Sequence, residues 1–165
     1  MATADLTAAR LRELLSYDSD AGLFTRLVSG RGRGSVAGNI AGCKNTHGYI
    51  RIGIAGRIYM AHRLAWFYTH GVWPAGDIDH INGEKSDNRL SNLRDVSTSV
   101  NMQNQRAAQP RNASGFLGVT RHGSRFEASI KINGVNRYLG SYGSPQEAHA
   151  AYLQEKRRIH PGCTI

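Results

Sequence analysis

Within residues 77–106, DIDHINGEKSDNRLSNLRDVSTSVNMQNQR, a carboxylate stands beside an imidazole at Asp79-His80, and asparagines follow at 88, 92, 101 and 104. These residue types suit hydrolysis of a phosphodiester. An imidazole is the natural group to take a proton from water near neutral pH. Asp and Asn oxygens are hard donors suited to Mg²⁺, which takes few protein ligands and fills its other positions with water and phosphate. The residue pattern reads as strand, loop, strand, helix. Ile78 and Ile81 flank the Asp-His pair, Asn82-Gly83 turns the chain, and NRLSNL forms a loop. Arg94-Asp95-Val96 returns as a second strand, and Ser97 or Thr98 caps a helix holding Asn101 and Asn104. Adjacent residues on a strand point to opposite faces, so Asp79 and His80 share one site only if the strand bends or the site wraps its end.

Other elements must position these groups. Residues 5–16 have helical apolar spacing. Residues 29–42 hold five glycines (Gly30, Gly32, Gly34, Gly38, Gly42) and are expected to be flexible. Residues 49–61 alternate as a hairpin with Ile50, Ile52 and Ile54 on one face and Ala55-Gly56 as the turn. A helix over His62–His70 is stopped by Gly71 and by Pro74 beyond it. Residues 107–114 read as a linker. Three short strands follow within 116–143, with Phe126, Ala128, Ile130 and Ile132 on one face and Asn133-Gly134 as a hairpin turn. Ser144, Pro145 and Glu147 open a last helix with a capping box; Ala148, Tyr152, Glu155 and Ile159 lie along one stripe, and Pro161 follows the end.

The 165 residues carry a formal net charge of +9. Residues 1–100 have twelve basic and nine acidic side chains; residues 101–165 have nine and three. The later segment is therefore the stronger electrostatic footprint for a polyanion. Nucleic acid and acidic membrane both qualify by charge. No apolar run approaches the ~20 residues of a membrane span, and no secretory leader, basic amphipathic helix or lipidation signal is evident. Cys43 and Cys163 form no CxxC pattern, which argues against a disulfide scaffold and a structural zinc site. The expected location is the cytoplasm.

DHINGEKSDNRLSNLR…SVNMQNQR resembles the HNH motif of phage and intron-encoded homing endonucleases, and the upstream blocks LLSYDSDAGLFTR and GYIRIGIAGRIYMAHRLAWFYTHGVWP resemble the leader of phage HNH proteins. The resemblance spans about residues 11–106. It implies a ββα-metal fold with His80 as general base, Asp79 and Asn101 as ligands to Mg²⁺ or another divalent cation, Asn92 orienting the base, and Asn88 holding the loop. Asn101 stands where many relatives have histidine. His62 opens a helix just after a strand, where relatives also show His-Arg, and is expected to have a structural role, bonding backbone near the site, rather than to ligate. The implied products carry 5′-phosphate and 3′-hydroxyl ends, and phage encoding would place the protein in a bacterial host cell.

GFLGVTRHGSRFEASIKINGVNRYLGSYGSPQEAHAAY, about residues 115–160, resembles the DNA-binding domain of plant ethylene-response factors, which also occurs fused to phage HNH nucleases. In that family the sheet face opposite the helix enters the major groove. The resemblance implies DNA contacts by Lys131, Tyr138 and Asn136, with Arg121, Arg125 and Arg137 on phosphate. Thr120 and Asn136 stand where the plant domains have arginine, so plant sequence specificity is not expected to carry over.

The expected fold class is α+β: a ββα-metal core with a β-hairpin N-terminal extension, then a three-stranded antiparallel sheet packed on one helix. The expected domains are residues 1–106 (core 75–106), a linker at 107–114, and residues 115–165. The expected activity is metal-dependent cleavage of double-stranded DNA, by nicking or double-strand cutting, with no membrane or protein partner. A catalytically inactive DNA-binding regulator is the alternative. An RNA-binding protein is a weaker one, because only Tyr138 and Tyr142 are placed to stack on bases.

Overall fold

The architecture was read from a computed structural model that describes residues 5–30, 34–109, 111–132, 134–160 and 163–164. It mixes short helices with small antiparallel sheets. Contacts divide the chain into two compact units, Met1–Ser97 and Thr98–Ile165. That division lies upstream of the 107–114 segment.

In the first unit, helix α1 (Ala8–Leu14) is capped by Thr7, whose side chain accepts from the Arg10 N–H. The helix is shorter than the expected 5–16. Leu15 leaves it in an extended conformation and starts β1 (Leu15–Asp18), which pairs with β2 (Leu23–Arg26), a hairpin the sequence reading missed. Tertiary packing overrides helical propensity here: Leu15 is fully buried and Tyr17 stacks on Phe24 at 4.7 Å. The glycine-rich segment is a bonded loop where it is described. Gly30 N–H donates to Ser35 O, Ala37 N–H donates to Ser29 Oγ, and Ile40 bridges to Thr25. Gly32 lies outside the described residues.

The 49–61 hairpin forms as β4 (Ile50–Ile54) and β5 (Arg57–Met60), with short β3 (Cys43–Lys44) on the other edge of β4. Ala55 and Gly56 both have positive φ, as a type I′ turn requires. Ile52 and Ile54 are buried and Arg51 and Gly53 exposed, as alternation demands. Helix α2 (Ala61–His70) follows directly and ends at Gly71, left-handed, with its N–H on Phe67 O. Strands β6 (Asp77–His80) and β7 (Leu93–Val96) form an antiparallel ribbon, and a 3₁₀ turn (Leu90–Asn92) leads into β7. Leu11, Leu15, Phe24, Ile52, Leu64, Phe67, Ile78 and Leu93 belong to one core, so the ribbon carrying Asp79 and His80 rests on a packed base.

The second unit begins with α3 (Thr98–Gln103), which holds Asn101 and ends just before Asn104. The sequence reading's strand, loop, strand, helix order is therefore present along the chain. Strands β8 (Val119–His122), β9 (Arg125–Ile132) and β10 (Val135–Tyr142) form a sheet of order β10-β9-β8, covered by α4 (Pro145–Ile159). Asn133 and Pro161 lie outside the described residues; Gly134 has φ +87. The expected capping box of Ser144 and Glu147 is present. Ala128 and Ile130 are buried against α4, while Phe126 and Ile132 are partly buried there. Gly118 (φ +75) permits the closest helix–sheet approach, because a Cβ there would lie 2.0 Å from the Tyr152 ring. Of the expected α4 stripe, Glu155 turns to Arg137 and Arg158 instead, and Lys156 is buried in its place beside Tyr152. Asn112 and Ser114, inside the expected linker, bond to the carbonyls of Phe116 and Val119 and so clip that segment onto the start of the sheet.

Candidate active site

His80 is the last residue of β6, and Asp79 precedes it; each is only 5% exposed. Cross-strand partners share a face. Asp79 pairs with Arg94 and His80 with Leu93, so the two side chains leave opposite faces at the strand's end. On one face Arg94 Nε and Nη2 both donate to Asp79 Oδ2, at 2.8 and 2.7 Å. On the other, the His80 ring meets Tyr49 and His62, with centroid distances of 5.9 and 5.1 Å.

Asn88 Oδ1 lies 3.4 Å from His80 Nε2. The amide is oriented by its own Nδ2, which donates to Ser86 O at 3.2 Å. In the tautomer that donates from Nε2 to this acceptor, the ring's lone pair lies on Nδ1. Asn92 makes different bonds. Its Oδ1 accepts from Asn82 N–H and its Nδ2 donates to Asp87 O. In the structure it is Asn88 that faces the His80 ring, while the Asn92 side chain is bonded to the loop backbone. The spacing DN…SN allows either assignment, and only the fold of the loop separates them.

The loop is braced from the N-terminal hairpin. The Tyr17 hydroxyl donates to Asn88 O at 2.6 Å and Leu90 N–H to Ser19 O at 3.0 Å. Gly22 (φ +71) allows this contact, since a Cβ there would lie 2.4 Å from Arg89 N. Asp87 closes the loop with hydrogen bonds from Arg89 and Asn82, and the Arg89 bonds hold its carboxyl down at about 2. Tyr17, Gly22, Tyr49, Asp87 and Arg94 escaped the sequence reading. The partners of Tyr17, Gly22 and Tyr49 are distant in sequence, Arg94 meets Asp79 only through strand register, and Asp87 is bonded within its own loop; the LLSYDSDAGLFTR block was the one signal pointing to the hairpin.

Burial pushes the His80 imidazole below the ordinary histidine range. The Asn88 hydrogen bond and the negative charges of Asp79, Asp87 and Glu84 oppose that shift. His62, 8% exposed, is pushed down to about 3 by burial first, then by His80 and Arg63. Its Nδ1 is buried without a hydrogen-bond partner among the described residues, which suits a neutral ring. Tyr49 is held above the ordinary phenol range by burial, then by Asp79 and Asp77, and Lys85 Nζ sits 5.1 Å above its ring.

Among the described residues no group of three or more His, Cys, Asp and Glu converges as a metal cage would. Asp79 carries a carboxylate and Asn101 a side-chain amide, both hard oxygen donors. A Mg²⁺-type cation needs few protein ligands, so this donor chemistry fits it.

In the second unit the residue register puts Lys131, Asn136, Ser129 and Tyr138 on the sheet face away from α4, with Lys131 opposite Asn136 and Ser129 opposite Tyr138. Lys131, Asn136 and Tyr138 are exposed, Tyr138 to 60%. Arg125 shares that face by parity and donates to Ser141 O and Oγ. Arg121 and Arg137 have the other parity, opposite Phe126 and Ile130. Arg121 Nε bonds to Gly123 O, and Arg137 is ion-paired to Glu155 of α4 at 3.2 Å. The expected arginine group is thus divided between two faces.

Among the described residues no helix is long and apolar enough to cross a membrane. No curated protein and no solved structure matches the chain. Residues 59–103, from β5 through α3, match the family model described as HNH endonuclease, so the chain carries an HNH endonuclease domain and is a nuclease-type hydrolase.

Proposed function

We propose that the protein is a metal-dependent endonuclease acting on double-stranded DNA, with His80 as its general base and the C-terminal sheet as its DNA-reading surface. The observation that carries the reading is the buried Asp79-His80 pair at the end of β6, with Asn88 against the imidazole, inside the HNH-matched segment. Asn88 holds the proton of the resting ring on Nε2, so Nδ1 takes the proton of the attacking water. Burial keeps the ring neutral and able to accept. Asp79 and Asn101 would hold a divalent cation, and Arg94 fixes the Asp79 carboxylate from across the ribbon. When bound, the cation supplies positive charge against the scissile phosphate and the leaving oxygen.

The DNA-reading part rests on the exposed face of Lys131, Asn136 and Tyr138 and on the excess of basic residues in 101–165. Lys131 and Asn136 can reach base edges and Tyr138 adds an aromatic contact. Arg121 and Arg125 contribute as phosphate contacts; Arg137 does so only by leaving Glu155. Phage origin and a bacterial cytoplasm belong to the same proposal, by the resemblance alone.

Incubation with supercoiled plasmid tests the activity. Nicked or linear product with Mg²⁺, absent in chelator, is the expected result. A protein that binds duplex DNA and leaves the plasmid intact with Mg²⁺, Mn²⁺ and Ca²⁺ would be the inactive regulator instead.

A further inference from the structure

The nuclease match runs to residue 103, whereas the compact units divide between Ser97 and Thr98. Helix α3, with Asn101, thus falls on the C-terminal side of that division. Lys156 of α4 has a central part in this. It is 1% exposed, on the buried face that also carries Ala148 and Tyr152. Its Nζ donates to Gln105 O and lies 5.8 Å above the Tyr152 ring. Desolvation holds its pKa below the ordinary lysine range. A methionine would fill the same apolar space without burying a charge. An ammonium there finds its use in the carbonyl it grips.

Gln105 is one of three consecutive residues fastened just beyond α3. Asn104, 6% exposed, accepts at Oδ1 from the Thr164 hydroxyl. Arg106 Nη2 donates to Thr164 O at 3.1 Å and to Thr164 Oγ1 at 2.6 Å. The fastened segment continues the helix: Asn104 N–H bonds to Asn101 O and Gln105 N–H to Met102 O. A cation near the carbonyl end of a helix also meets the favourable end of its dipole.

We propose that Lys156 is a positioning residue for the nuclease: from the C-terminal unit it fixes the segment after α3, and with it the conformation in which α3 carries Asn101. The inference rests on the reading of Asn101 as a cation ligand.

The test uses the full chain and the variants Lys156→Met, Lys156→Arg, Thr164→Val and Asn101→Ala. Amide hydrogen exchange of α3, the Mg²⁺ concentration for half-maximal plasmid cleavage, and duplex binding in chelator are measured for each. Lys156→Met should bind duplex as wild type does while α3 exchanges faster, and its half-maximal Mg²⁺ should rise about tenfold, as loss of support for a ligand does. Lys156→Arg should recover part of both changes. Unchanged α3 exchange and unchanged Mg²⁺ dependence in Lys156→Met would overturn the proposal. If Lys156→Met does not fold, Thr164→Val decides: it releases the grip on Asn104 without touching a buried charge, and it must shift both readouts the same way or the proposal fails. If Asn101→Ala keeps the wild-type Mg²⁺ dependence, the ligand reading fails, and α3 exchange alone then judges the hold of Lys156.

Discussion

Asn88 Oδ1 faces His80 Nε2 at 3.4 Å, and both side chains are buried at the mouth of the β6–β7 ribbon. A hydrogen bond donated here from Nε2 directs the lone pair of the imidazole to Nδ1. Asn92, four residues on, is spent on the backbone of the loop.

The two asparagines should therefore fail differently. Asn88→Ala removes the acceptor facing the proposed base and should slow single-turnover cleavage by about fivefold, the worth of one hydrogen bond of roughly 1 kcal/mol. Asn92→Ala leaves Asn82 N–H and Asp87 O without their partner and should cost roughly 1–3 kcal/mol of stability. Urea unfolding and single-turnover rates, measured on both variants, separate the two roles. Equal rate losses with no stability difference would contradict the assignment.

Arg94 and Asp79 form the other half of the site. Arg94→Met removes the two Arg94 hydrogen bonds from the Asp79 carboxylate, which is 5% exposed. The expected cost is about 3 kcal/mol in chelator, at the low end for a broken buried pair because Arg94 is partly exposed. Mg²⁺ should return part of that loss in the variant, since a cation on Asp79 replaces the missing charge. Thermal unfolding with Mg²⁺ and with chelator reads both effects. A variant that Mg²⁺ does not stabilise speaks against Asp79 as a ligand.

His62 gives the fold a pH dependence. The unfolded chain binds a proton on this residue below about pH 6.5, whereas the folded chain does not until about 3. The group's effect on stability is therefore neutral above that upper value and becomes unfavourable as pH falls through the window. At pH 5 the difference is roughly 2 kcal/mol. His80, shifted in the same direction, adds to it. His62→Phe keeps a ring against Tyr49 and His80 and should flatten the loss of stability between pH 7 and pH 5. A variant with the wild-type slope would show that His62 is not buried neutral.

Much of this arrangement was legible in the residues. Hydrophobic alternation at Ile50–Ile54 and at Phe126–Ile132, the turn at Ala55-Gly56 and the cap at Ser144 are local signals, and each formed as read. The β1–β2 hairpin was hidden because LRELLSYD continues a helical pattern, and the contacts that favour extended structure, Leu15 in the core and Tyr17 on Phe24, are tertiary. The Arg94 contact depends on the register of β6 against β7, which spacing alone does not give. Nothing in the sequence separates Lys156 from Arg157 and Arg158 beside it, and its burial comes from the packing of α4.

On the C-terminal sheet, Lys131→Ala and Tyr138→Ala should lower discrimination between preferred and random duplexes, because both side chains stand on the open face. Arg137→Ala should change binding little, as its guanidinium is on the α4 side with Glu155. Affinity of the full chain should fall steeply with salt as phosphate contacts release counterions. Gel shifts over a salt series read all of this. An Arg137→Ala variant weaker than Lys131→Ala would place the DNA on the other face.

The rate of plasmid cleavage under single-turnover conditions with Mg²⁺, compared between wild type and His80→Ala, tests the central claim. Loss of the base should slow cleavage by ~10²–10⁴ while duplex binding in chelator stays as in wild type. Cleavage by His80→Ala at the wild-type rate would contradict His80 as the general base.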